Sequence, residues 1–210
     1  MKFIDLTHPM KDGQPGFPGD PVLEIKPHAT IEAQRYNVSR LAMGSHQGTH
    51  LDAPYHFVPD GKRLDEMPLE WFCGPATLLR IPKPARAEIT LEDLLPFETR
   101  LLPGARIIYE TGWHTHYGQE DYFTDFPSLT QEAAAYLAGR GIRLLGMDTP
   151  TPSRDYYEVH HLLQQKPAEI VIVESLTNLS MVPDEFLFMG FPLRFEGGDG
   201  SPIRAVAGID

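Results

Sequence analysis

The chain has 210 residues, with 18 Lys and Arg against 29 Asp and Glu for a formal charge of −11, and is 41% hydrophobic and 22% charged. This is the composition of one globular domain, residues 1–210, with enough apolar side chain for a core; it excludes disorder, collagen-like repeats and coiled coil. An acidic balance with no Lys/Arg cluster also excludes nucleic acid held on a basic face.

No run approaches the roughly 18 apolar residues that span a bilayer, and MKFIDLTHPM lacks the apolar stretch of a signal peptide, so a soluble cytoplasmic protein without a membrane partner is expected. The single cysteine, Cys73, can form neither an internal disulfide nor a thiolate cage. Any metal must be held by imidazole and carboxylate.

In chain order, strands are predicted near Lys2–Leu6, Val22–Lys26, Tyr36–Ala42 and Ala76–Ile81. Between the first two lies GQPGFPGDP (Gly13–Pro21), where prolines fix φ and remove N–H donors; an ordered extended loop that presents Phe17 is expected. The second half reads as strand, helix, strand, helix, strand. Its strands are Arg106–Glu110, Arg143–Met147 and Ile170–Glu174, all short aliphatic runs. Its helices are Gln131–Ala138, with Ser128 and Gln131 at capping-box spacing, and Asp155–Gln165, with Val159, Leu162 and Leu163 as an apolar stripe. The predicted class is α/β, with a mixed sheet or a β-rich layer packed on an α/β layer.

The segment GSHQGTHLDAPYHF (Gly44–Phe57) places His46, His50, Asp52 and His56 within eleven residues. His46 and His50 have helical spacing, but Gly48 and Pro54 oppose a continuous helix. His50 and Asp52 have strand spacing, which turns both to one side, and a bend at Gly48 brings His46 to the same point. Two imidazoles and a carboxylate suit zinc, manganese or a similar cation. Glu174 ends a buried aliphatic strand, where a carboxylate is costly without a cation or donors; a surface glutamate at a strand end is the competing account. His160 lies beside the apolar stripe of its helix, where a satisfied core histidine competes with a ligand.

GSHQGTHLDAPYHF closely resembles the HxGTHxDxPxH signature of the cyclase-like metal-dependent hydrolases, which include bacterial kynurenine formamidases and isatin hydrolases. IDLTHPM, FPGDP (Phe17–Pro21), TGW (Thr111–Trp113), GMDTPTPSRD (Gly146–Asp155), VHHLL (Val159–Leu163) and IVIVESLTNL (Ile170–Leu179) extend the resemblance over nearly the whole chain. The resemblance implies mixed β-sheet layers packed with helices, of the swivelling β/β/α type. It implies two divalent ions per subunit, zinc first and manganese second, on His46, His50, Asp52, His160 and Glu174, with His160 preferred to the adjacent His161. It also implies His56 as proton donor and acceptor, Phe17 packed on a small-molecule substrate, and a homodimer or homotetramer.

The implied reaction is hydrolysis of a C–N bond in an aryl formamide or cyclic amide by metal-activated water. A cyclase, dehydratase or lactonase acting on a polyketide- or sugar-like substrate, and a catalytically silent metal protein, are the other readings. Phe17 stands where the formamidases carry tryptophan, which weakens the expectation of N-formylkynurenine itself. His114 and His116 form a second HxH pair that would face one way on a strand, although Gly112 and Gly118 point to a loop. Asp148 is expected to support the site or cap a turn, His8 and His28 to be structural or solvated, and Trp71 and Trp113 to lie in the core.

Overall fold

The computed structural model describes residues 1–210. The chain runs through β1 (Lys2–Asp5), β2 (Glu24–Ala29), α1 (Ile31–Gln34), β3 (Val38–Ala42), β4 (His50–Asp52), β5 (Cys73–Arg80), β6 (Glu88–Ile89) and α2 (Leu91–Leu94). It continues through β7 (Arg106–Glu110), β8 (Ser128–Leu129), α3 (Gln131–Gly139), β9 (Leu144–Met147), α4 (Tyr156–Gln164), β10 (Val171–Glu174), β11 (Glu185–Met189), β12 (Gly200–Pro202) and β13 (Val206–Ile209).

Nine strands form one mixed sheet in the order β1-β13-β11-β5-β7-β9-β10-β4-β12. The aliphatic runs read from the sequence become its parallel centre, β5-β7-β9-β10, and antiparallel strands flank it on both sides. Both faces of this centre are buried, as parallel strands require. Leu78, Ile108, Leu144 and Val173 alternate onto one face, and Leu79, Ile107, Leu145 and Ile172 onto the other.

The second face is covered by Ala133, Ala134 and Leu137 of α3 and Val159 and Leu163 of α4. The first face is covered by the sheet itself. A bridge joins Thr7, just beyond β1, to Leu176, just beyond β10. Those strands are six positions apart in the sheet, about 29 Å if it were flat at roughly 4.8 Å per strand. The sheet therefore curls over its own face, and Ile4, Leu51, Phe186 and Phe188 from the flanking strands complete that core. The expected α/β layers are present, with the extra β layer supplied by this curl.

Three local expectations shift. Val22 and Leu23 belong to the proline-rich loop, because the Leu23 backbone bonds Gly13 and Gln14 and its side chain is fully buried. Ser128 lies in β8, and Thr130 caps α3 by accepting from the Ala133 N–H at 3.2 Å. The C-terminal strands β11, β12 and β13 lie outside the runs predicted from sequence; each is short, and β12 and β13 contain Gly or Pro. No helix is long and apolar enough to cross a membrane.

Ile108 is fully buried at the centre of the curled face. Ile108→Ala is expected to lower the unfolding free energy by roughly 2–5 kcal/mol, read as a lower urea midpoint with an unchanged slope.

Candidate metal centre and catalytic pocket

Two antiparallel neighbours, β4 and β10, build the centre of the site. Their register sets Glu174 directly opposite His50 and Ile172 opposite Asp52. The predicted bend is present: Gly48 has φ +66°, a conformation that suits glycine, and its carbonyl accepts from His50 Nδ1 at 2.8 Å. That bond leaves His50 Nε2 facing Asp52 Oδ1 and Glu174 Oε2, each at 3.3 Å.

His160 reaches the same point from α4. Its Nδ1 donates to the Tyr156 carbonyl one turn earlier at 2.7 Å, and its Nε2 lies 3.2 Å from Glu174 Oε1 and 3.6 Å from Asp52 Oδ2. The adjacent His161 stacks on Tyr157 instead, so of the two only His160 joins this cluster. His46 completes the cluster with Nδ1 2.7 Å from Asp52 Oδ1. His50, Asp52, His160 and Glu174 are all buried, so Glu174 is not a surface glutamate, and His160 is a core histidine whose partner is that carboxylate.

The donor set fits a cation. His46, His50 and Asp52 form one group able to hold a metal ion, and Asp52, His160 and Glu174 form another, with Asp52 common to both. Asp52 Oδ2 is buried without a hydrogen-bond partner, an expensive state for a carboxylate oxygen unless a positive charge faces it.

Electrostatics agree. Burial opposes charge on His46 and His160, but the adjacent carboxylates, chiefly Asp52 for His46 and Asp52 with Glu174 for His160, raise both imidazoles to about 9. His50 is raised well above its ordinary value against the same burial, mainly by Asp52. Burial opposes the ionised Asp52 carboxylate too, yet the surrounding imidazoles, His46 and His50 first, hold it well below the usual range.

His56 behaves differently. It sits on a 3-10 turn (Pro54–His56), stacked 3.8 Å from the His46 ring and 6.0 Å from that of His160. Burial is the main cause that pushes its imidazole down to about 4, and the pull of Asp52 does not restore it. It is therefore neutral at pH 7.

These side chains line a cleft of about 740 Å³. His46, His50, His56, His160 and Glu174 line it, together with Phe17, Phe57, Phe123 and Tyr156. Phe17 packs edge-on against Phe123 at 5.9 Å and Tyr156 at 5.8 Å, so the proline-rich loop closes one side. Phe57 stacks on His160 at 4.2 Å.

The second histidine pair does not assemble. Gly112 (φ +91°) starts a 3-10 turn over Trp113–His116 in place of a strand, which points the two rings apart. His114 Nδ1 lies 3.5 Å from Asp148, whereas His116 bonds Asp121 at 2.8 Å and stacks on the buried Trp113. Asp148 caps the turn, accepting from the Thr111 N–H and hydroxyl and from the Gly112 N–H at 2.7–2.9 Å. His8 is buried and stacked on Tyr117, His28 is exposed, and Trp71 packs on the rim of the core.

Sequence reasoning missed Asp199, whose Oδ2 lies 3.0 Å from His46 Nε2. It stands between two glycines in GGDGSP, where an aspartate reads as an ordinary turn residue.

Comparison with known proteins agrees with this geometry. Residues 4–154 match the family model described as "Putative cyclase". A kynurenine formamidase of Bacillus mycoides (strain KBAB4) is 32% identical over 98% of this chain and 96% of its own length. Isatin hydrolase A from Labrenzia aggregata, solved with benzyl benzoate, superposes with a TM-score of 0.87 at 27% identity, covering 98% of this chain and 93% of that one. A structure described as a potential metal-dependent hydrolase with cyclase activity superposes with a TM-score of 0.80 at 28% identity, covering 98% and 96%. With a family model matched over most of the chain and a relative above 30% identity along nearly all of it, this protein belongs to the cyclase family.

Proposed function

We propose that the protein is a metal-dependent hydrolase that cleaves the C–N bond of a small aryl formamide or cyclic amide. One observation carries the reading: the imidazoles and Glu174 of the donor cluster line an aromatic-walled cleft open to a small molecule. A purely structural centre would be closed on all sides. The names of the relatives, kynurenine formamidase and isatin hydrolase, support the same bond type.

His46, His50, Asp52, His160 and Glu174 would hold two divalent ions. Zinc suits three imidazoles and two carboxylates best, and manganese is the alternative. Bound there, such ions supply Lewis acidity and a water acidic enough to attack near neutral pH. The chain's own residues do the rest. Neutral His56, with no hydrogen-bond partner within the chain, is free to take a proton and pass it to the leaving nitrogen. Phe17, Phe57, Phe123 and Tyr156 receive the aryl ring and keep bulk water from it.

A cytoplasmic homo-oligomer, dimer or tetramer, completes the proposal. The β2–β3 ribbon supports association, because Val38 and Leu41 on β3 and the connecting Ile31 and Tyr36 are exposed, and an isolated two-stranded ribbon is marginal in water.

The test is hydrolysis of N-formylkynurenine, isatin, simple aryl formamides and lactones before and after chelation. Turnover of the amides that disappears with chelator and returns with zinc or manganese is the expected result. Turnover of lactones alone would transfer the protein to the lactonase reading. His56→Ala should keep its metal content and lose roughly 10²–10⁴-fold in kcat; a kcat near that of the parent enzyme would remove His56 from the proton transfer.

The metal-free chain has its own pH signature. Its His46 and His160 are raised from 6.5 to about 9, so their stabilisation is complete below about pH 6.5 and lost as pH rises through about 9. His56, depressed to about 4, acts only in the acid range below 6.5. Chelated protein should melt at a lower temperature at pH 9 than at pH 6.5, whereas the loaded protein, whose imidazoles are neutral ligands, should not show that loss. Paired thermal melts check both.

A further inference from the structure

His46 is held from two sides. Its Nδ1 faces Asp52 Oδ1 at 2.7 Å and its Nε2 faces Asp199 Oδ2 at 3.0 Å. The Ser45 hydroxyl donates to the same Asp199 oxygen at 3.1 Å. In the chain without metal both ring nitrogens face an acceptor; when a metal ion takes Nδ1, donation from Nε2–H to Asp199 would hold the ring in the tautomer a ligand at that nitrogen needs.

The backbone around Asp199 is built for this contact. Its carbonyl accepts from the Ala53 N–H at 2.8 Å, and Gly200 pairs with Asp52 across β12 and β4. A Cβ on Gly200 would lie 2.3 Å from His46 Cε1, so only glycine at this position leaves the ring its place. The ring so held is the one on which His56 stacks.

We infer that Asp199 is a positioning residue: it orients His46 for the metal centre and so fixes the surface against which His56 works. The inference rests on the metal-centre reading above. Asp199, His46 and His56 also lie close enough to form a donor group of their own. Orientation is the better account, because the Asp199 side chain is 38% exposed and already shares its contacting oxygen with Ser45, whereas Asp52 and Glu174 are buried.

The experiment is zinc titration of the metal-free full-length chain against a chromophoric chelator, for the parent, Asp199→Ala and Asp199→Asn, with the bound zinc counted at saturation. Both variants should reach the parent zinc-to-protein ratio. Asp199→Ala should bind 10- to 100-fold more weakly, and Asp199→Asn, whose amide oxygen still accepts from Nε2–H, should recover part of that loss. Nitrogen NMR of the zinc-loaded chains should show His46 with its proton on Nε2 in the parent, and an Nε2–H signal broadened by exchange with solvent in Asp199→Ala. Affinity within twofold of the parent overturns the role, and so does a reduced ratio at saturation, which would make Asp199 a ligand. A parent chain that binds neither zinc nor manganese overturns the metal centre itself, and the positioning role with it.

Discussion

Two carboxylates, Asp52 and Glu174, are buried side by side at the ends of adjacent strands, and much of the site is arranged to make that tolerable. An unpaired buried carboxylate costs several kcal/mol even after relaxation. Three imidazoles converge on the pair, with Asp52 in contact with all three and Glu174 in contact with two. One Asp52 oxygen still lacks a hydrogen-bond partner. The two carboxylates favour positive charge at this point, and in the chain without metal the three imidazoles are held toward their charged form by them.

Backbone carbonyls decide how those imidazoles are used. Gly48 and Tyr156 each accept from the Nδ1 of one histidine, so His50 and His160 both present Nε2 to the carboxylates. The acceptor for His160 is an internal helical carbonyl, and the one for His50 exists because Gly48 adopts a left-handed conformation. His56 has no such acceptor and no carboxylate within ion-pair distance. Burial then dominates, and its proton affinity falls where that of its neighbours rises. Histidines drawn from one short motif thus acquire opposite electrostatic characters through their immediate surroundings.

Much of the fold was legible because aliphatic runs in a parallel sheet are buried on both faces and need no partner to be recognised. Arg106–Glu110, Leu144–Met147 and Val171–Glu174 fall within one residue of their predicted limits. The strands that close the curl were not legible, since GSP and VAGI are too short and too rich in Gly and Pro to stand out. The site divided along similar lines. His46, His50, Asp52 and His56 share one segment whose extended spacing already turns His50 and Asp52 together. His114 and His116 had comparable spacing but sit on a helical turn, and the rings diverge.

The amino-acid sequence by itself carried the resemblance to the family, the α/β class and the imidazole and carboxylate character of the donors, because motifs and aliphatic runs are local properties of the chain. Only the tertiary structure decided that His160 and not His161 faces Glu174, that the cleft is walled by Phe17, Phe57, Phe123 and Tyr156, and that Asp199 grips His46. These facts depend on pairing between strands remote in the chain: β4 with β10 across more than a hundred residues, and β4 with β12 across about a hundred and fifty. Register across such distances is set by how the whole curled sheet buries its apolar face, and no local pattern encodes it.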